Sequence, residues 1–157
     1  MTTTPNLTRD IGQAERAMHA LLERLLDEAD LSFAEWTVLV FLDGTGPLTA
    51  GELVRRQVDG RVAPEAGARA AVDGLLSRGL LAPVHDARGM GRPGSEDGNL
   101  KLAPTATGEA VYLPVRGAVD RITDELYGDL PQAALEATHR TLAEVFRRAN
   151  ARLVAGG

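Results

Sequence analysis

The residues whose types could do chemistry in this 157-residue chain are mostly arginines, with a few histidines and aromatics beside them. Of 17 basic residues only Lys101 is a lysine. A guanidinium presents a rigid fork of donors that fits phosphate oxygens, carboxylates and the guanine edge. Arg55, Arg56, Arg61 and Arg69 lie in the middle of the chain, and Arg88 and Arg92 follow in a glycine-rich stretch. Residues 49–104 hold 8 Lys+Arg against 7 Asp+Glu, and the two flanks together hold 9 against 15. The formal net charge of -5 therefore resides in the outer thirds. Covalent and metal chemistry find little support. The absence of Cys excludes disulfides, thiolate catalysis and Cys-ligated zinc. His19, His85 and His139 fall in three separate segments, and His85-Asp86 has no further ligands nearby in sequence. There is no H-E-x-x-H, no P-loop and no G-x-S-x-G. Gly89-Met90-Gly91-Arg92-Pro93-Gly94 matches G-x-G-x-x-G, but Ser-Glu-Asp-Gly and a strand follow it, where a dinucleotide fold needs a helix. The expectation is a non-enzyme without metal or cofactor.

The elements that must position these arginines are mainly helical. Ile11, Ala14, Met18, Leu21, Leu22, Leu25, Leu26 and Ala29 recur at steps of three and four, which predicts a helix over 8–29. Ser32-Phe33-Ala34-Glu35 and Thr49-Ala50-Gly51-Glu52 are capping boxes. The first opens an apolar helix ended by Asp43-Gly44-Thr45-Gly46-Pro47, and the second opens a helix of about eight residues broken at Asp59-Gly60. Pro64 reads as the first residue of the next helix, with apolar Ala68, Ala71, Val72, Leu75 and Leu76, and Gly79 stops it. Leu80–His85 and Asn99–Ala103 read as a hairpin around the loop Asp86–Gly98. A long helix starts at Thr105 or Thr107, with Val111, Val115, Val119, Ile122 and Leu126 on one stripe and a kink or stagger expected at Pro114. After Asp129-Leu130-Pro131, the last helix carries Leu135, Thr138, Leu142, Phe146, Ala149 and Leu153.

This order predicts a mainly α fold with a small β-hairpin wing. The core of it is a winged helix-turn-helix, flanked by long N- and C-terminal helices. One domain spans 1–157, with a winged-helix DNA-binding lobe over 32–104 and dimerisation helices over 8–30 and 105–154. The apolar stripes of the outer helices call for a partner, and a two-fold homodimer is the commonest solution. In such a lobe the helix over 64–78 enters a major groove. Arg69 there either contacts guanine in bidentate fashion or pairs with Glu65 at i−4. Arg55, Arg56 and Arg61 either meet phosphates or solubilise the turn. The amides and hydroxyl at Thr49 offer a phosphate seat in addition to a plain cap. Arg88 and Arg92 either follow the backbone and minor groove or stay solvated beside Asp86, Glu96 and Asp97.

The chain also resembles the MarR-type transcriptional regulators. The likeness runs over 8–154. It is carried by Leu31-Ser32 and Trp36-Thr37-Val38-Leu39, by Leu48-Thr49 and Glu52-Leu53, and by Val72–Leu81. Asp86-Ala87-Arg88 and Thr105-Ala106-Thr107-Gly108 complete it. The resemblance implies a ligand-responsive DNA-binding regulator, expected to be a repressor, that acts on double-stranded DNA as a homodimer. It also implies a cleft for a small aromatic or phenolic ligand that His19, Phe33, Trp36 and Tyr112 would line. The alternative for Trp36 and Phe33 is a place in the core, and for His19 a half-buried structural role. Four features depart from the family pattern: a long turn from Gln57 to Ala63, a recognition helix with Arg69 as its one cation, Pro104 after the second wing strand, and acids in the wing. They keep a second reading open, a degenerate winged helix that binds a small molecule or protein partner with weak or no DNA binding.

Composition sets the remaining bounds. Hydrophobic residues make up 44% and charged residues 25%, which fits a globular chain and not a disordered one. No apolar run is long enough to span a bilayer, and the opening MTTTPNLTRD lacks an apolar stretch, so a cytoplasmic protein without membrane association is expected. The sequon Asn6-Leu7-Thr8 is then incidental.

Overall fold

The structure is a computed structural model and describes residues 6–84 and 100–156. The elements among them are α1 (Leu7–Glu28), α2 (Phe33–Thr45), β1 (Leu48–Thr49), α3 (Ala50–Asp59), α4 (Glu65–Ser77), β2 (Leu81–Val84), β3 (Lys101–Pro104), α5 (Ala106–Tyr127) and α6 (Gln132–Ala155). They form two compact units, Met1–Val119 and Asp120–Gly157, and α5 runs from the first into the second. The element order is that of a winged helix-turn-helix with long terminal helices.

In the first unit the capping chemistry sets the helix starts. At α2, Ser32 Oγ accepts from Glu35 N (3.2 Å) while Ser32 N donates to Glu35 Oε2 (2.8 Å). At α3, Thr49 and Glu52 repeat the reciprocal pair. Three helices end the same way, each with a left-handed residue after its last turn. After α1 Asp30 has φ 53°, and Leu31 N donates to Leu26 O (3.0 Å). After α3 Arg61 has φ 57°, and Val62 N donates to Gln57 O (2.9 Å). After α4 Gly79 has φ 67°, and Leu80 N donates to Leu75 O (2.9 Å). Glycine takes this conformation without strain, and Asp and Arg do not.

Several boundaries differ from the sequence expectation. α2 continues through Asp43-Gly44 to Thr45 and stops only at Gly46, whose φ of 78° carries the chain out of the helix. α3 runs to Asp59, so Gln57 is helical and the turn to α4 is 60–64, shorter than the reading that began it at Gln57. Pro64 is the N-cap of α4 and Glu65 its first residue. The two-stranded hairpin gains a third strand, because Leu48-Thr49 pairs antiparallel with β3 and the sheet order is β1-β3-β2. In that sheet Leu48 lies opposite Leu102, and Leu81 opposite Pro104. Pro104 therefore belongs to the strand. A proline is tolerated there because it closes the ladder.

The core of this unit gathers Val38, Leu39 and Leu42 of α2, Leu53 and Val54 of α3, and Ala68, Val72 and Leu75 of α4. Leu26, Leu31, Trp36, Leu48, Leu80, Leu81, Leu102, Tyr112 and Val115 complete it. The start of α5 is fixed onto this core by Thr105 and Gly108. Thr105 N donates to Leu80 O (3.0 Å), Thr105 Oγ1 donates to Gly79 O (2.6 Å), and Gly108 N donates back to Thr105 Oγ1 (3.0 Å). A Cβ at Gly108 would collide with the Leu80 carbonyl oxygen. The helix runs unbroken through Pro114. A proline removes one hydrogen bond but need not end a helix whose flanks are packed.

In the second unit every residue of α6 is exposed or half-buried. Leu126, Leu130, Leu142, Val145, Phe146, Leu153 and Val154 all stand exposed. Glu144 receives hydrogen bonds from Arg147 (2.7 Å) and Arg148 (2.6 Å), which hold its carboxyl down at about 2. Among the described residues no helix is long and apolar enough to cross a membrane, and no His, Asp and Glu cluster could hold a metal ion.

Candidate nucleic-acid interface and aromatic cluster

The candidate nucleic-acid face is built on the outer side of α4. Its buried residues are Ala68, Ala71, Val72 and Leu75. The 3.6-residue period then leaves Glu65, Ala66, Arg69, Ala70 and Asp73 exposed. Arg69 is bound to Glu65 through Nη2 (2.6 Å) and Nε (3.2 Å). Both side chains are about two-thirds exposed, 64% and 65%, so this pair is worth only a few tenths of a kcal/mol and can open or be re-used. The helix start has no side-chain cap, and Glu65 supplies the acid that complements its dipole.

The other basic candidates lie on α3 and in the turn that leads to α4. Arg55 and Arg56 are exposed on α3, and the Arg56 guanidinium sits 5.8 Å from the centre of the Phe41 ring. Arg61 is exposed in the turn, where its backbone is left-handed. Thr49 caps α3. Glu52 Oε2 accepts from its amide (2.8 Å) and its hydroxyl (3.0 Å). These two hydrogen bonds lower the Glu52 carboxyl below its ordinary value, and Lys101 and Arg55 add to the effect. The anion seat at Thr49 thus already holds a carboxylate, and an incoming phosphate must compete with it. Lys101 is a cation that the spacing reading passed over; it lies on β3 opposite Thr49. Its being the only lysine, in the return strand, was the available signal. Arg88 and Arg92, with the rest of 85–99, lie outside the described residues.

The four aromatic candidates form two pairs in the first unit. His19 and Phe33 meet edge to face, 5.2 Å between ring centres, on the more open side. Phe33 is 37% exposed, and His19 Nε2 lies 3.2 Å from Glu23 Oε1. Trp36 and Tyr112 lie 5.1 Å apart and are both buried in the core. The Tyr112 hydroxyl donates to Asp43 Oδ2 (2.8 Å), and Arg116 Nη1 lies 3.6 Å from the same oxygen. Burial first, then the bond to Asp43, pushes the Tyr112 phenol above its ordinary value. Asp43 and Arg116 escaped the sequence reading, since partners 69 residues apart leave no local pattern.

A second cluster ties α2 to α4. Arg78 Nη1 lies 3.4 Å from Glu35 Oε1, and Arg78 Nη2 lies 3.4 Å from Asp30 Oδ2. Glu35 thus caps α2 with one oxygen and pairs with the end of α4 through the other. The last residue before the left-handed Gly79 is in this way anchored to the helix that bears Phe33 and Trp36.

No protein-family profile matches the sequence. No curated protein matches it either. Solved structures do match. A MarR-family transcriptional regulator from Silicibacter pomeroyi superposes with a TM-score of 0.68 at 19% identity, covering 91% of this chain and 89% of that one. MarR of Staphylococcus aureus, in complex with salicylate and kanamycin, gives 0.69 at 15% identity over 91% and 92%. BpsR of Bordetella bronchiseptica, whose DNA binding is regulated by 6-hydroxynicotinic acid, gives 0.65 at 19% over 92% and 96%. The chain therefore has the winged-helix fold of these MarR structures.

Proposed function

We propose that this chain is a member of the MarR family: a ligand-responsive regulator, without enzymatic activity, that binds double-stranded DNA as a homodimer in the cytoplasm. The observation that carries the reading is the exposed outer face of α4 in a winged-helix lobe whose whole-chain neighbours are regulators. In this reading 32–104 is the DNA-binding lobe, and 8–30 and 105–154 are dimerisation helices. Arg69 addresses base edges, Arg55, Arg56 and Arg61 address phosphates, Thr49 adds a helix N-terminus, and Arg88 and Arg92 extend the contact from the wing. Repression is the expected sign, because a bound dimer blocks the promoter it covers. A small aromatic or phenolic acid is the expected effector. Two of the similar structures concern salicylate and 6-hydroxynicotinic acid, and His19, Phe33, Trp36 and Tyr112 with Arg116 supply rings and a cation of matching chemistry.

One observation favours the second reading, a winged helix with weak or no DNA binding. The exposed face of α4 carries Glu65 and Asp73 against Arg69, which is itself paired. Hydroxyl-radical footprinting of the protein on the intergenic DNA upstream of its own reading frame separates the two. The regulator reading predicts two protected segments about 10 base pairs apart, the spacing at which two recognition helices enter successive major grooves. Unprotected DNA at low salt is the result expected of the degenerate winged helix. Salicylate added to a protected complex is expected to weaken the footprint.

A further inference from the structure

The Glu65–Arg69 pair leaves one particular edge of the guanidinium available. An arginine has five N–H donors: one on Nε and two on each Nη. Glu65 Oε1 accepts from Nε (3.2 Å) and from Nη2 (2.6 Å), so the side edge of the fork is occupied. The end-on edge remains, formed by Nη1 and the outer hydrogen of Nη2. Both side chains are about two-thirds exposed, in the first half of α4, and among the described residues no bond to that edge accompanies the two to Glu65. Guanine presents O6 and N7 in the major groove as a pair of acceptors that suits such an edge. The neighbours on this face, Ala66 and Ala70, offer only methyl groups, and Asp73 adds a further negative charge.

We propose that Glu65 is a specificity-determining residue: it pairs with Arg69 on the side edge, so that the end-on edge is left to read one guanine per half-site. This rests on the DNA-binding reading of α4. The carboxylate acts in two ways. It biases Arg69 weakly toward the conformer that presents that edge. It also opposes the sequence-independent attraction to phosphate, so a duplex lacking the guanine is disfavoured. A lone arginine at this site binds more duplexes and distinguishes fewer.

The test is selection from a random duplex pool by the full-length protein, by Glu65→Gln and by Arg69→Ala. Circular dichroism checks that each variant keeps its helices. The selected and a scrambled duplex are then titrated with each protein. Wild type is expected to enrich a guanine at one position of each half-site, and 7-deazaguanine there, which lacks the N7 acceptor, is expected to weaken binding. Arg69→Ala is expected to lose that enrichment and to weaken the selected duplex roughly 5- to 100-fold. Glu65→Gln is expected to hold or tighten the scrambled duplex and to lower the selected-to-scrambled ratio several-fold. An unchanged ratio in Glu65→Gln overturns the proposal while leaving DNA binding intact, and so does a guanine preference that survives Arg69→Ala. Failure of wild type to enrich any sequence overturns the DNA-binding reading, and this proposal with it.

Discussion

Gln57 brings both polar atoms of its side chain into the core of the first unit, and neither has a hydrogen-bond partner among the described residues. A buried amide left unpaired costs about 1–3 kcal/mol. Gln57→Leu, close in volume, is expected to raise unfolding free energy by about that amount in urea titration, and a loss of stability would show that the amide is satisfied in solution. At Glu144 the sign works the other way from burial. Its carboxyl is held at about 2 by the hydrogen bonds from Arg147 and Arg148, below the ordinary 4.5. A depressed folded value means that the ion pairs support the fold above pH 4.5 and are lost as pH falls toward 2. Carbon-detected NMR of the Glu144 side chain is expected to titrate near 2, and in Arg148→Ala to move up. At this scale the sequence was informative only locally. The Glu65–Arg69 alternative was visible from i,i+4 spacing, and both capping boxes from a Ser or Thr three residues before a Glu. The Tyr112–Asp43–Arg116 group and the Arg78 anchor on Glu35 and Asp30 were not, because their partners are brought together only by the packed fold.

At the scale of elements, helices were legible wherever period and caps agreed. The sequence reading of α4 found four of its inward residues, Ala68, Ala71, Val72 and Leu75, from spacing alone. Strand β1 escaped it, since two residues have no periodicity and Thr49 already read as a cap. The left-handed ends at Asp30 and Arg61 escaped it as well, because neither residue is glycine. The Thr105-Ala106-Thr107-Gly108 phrase acquires a physical reason: the threonine caps α5 and ties it to Gly79, and the glycine admits the Leu80 carbonyl. Gly108→Ala is therefore expected to cost roughly 3 kcal/mol in denaturant unfolding, since backbone on both sides has to move. A cost near zero would mean that α5 docks differently from this structure.

At the scale of the whole molecule, the exposed apolar residues of the second unit are what supports the proposed homodimer. Leu142 is 41% exposed and Phe146 56%, on a helix with no fully buried residue. Apolar surface of this kind on a helix stripe is normally covered. Leu142→Arg or Leu126→Arg would place a charge in that seam, a penalty of several kcal/mol if the seam closes on a partner chain. Sedimentation velocity is expected to show a dimeric wild type and monomeric or unfolded variants, and two folded dimeric variants would place the interface elsewhere. The net charge of -5 opposes DNA at long range, so the proposed binding must come from a few arginines per subunit. The most direct measurement is then a fluorescence-anisotropy titration of the upstream duplex at about 50 and 200 mM salt, beside Arg69→Ala and a scrambled duplex. Affinity that falls with salt, exceeds that for the scrambled duplex and collapses in the variant is the predicted result. Affinity for the upstream duplex that is independent of salt and indifferent to Arg69 would contradict the assignment of α4 as a DNA-reading helix.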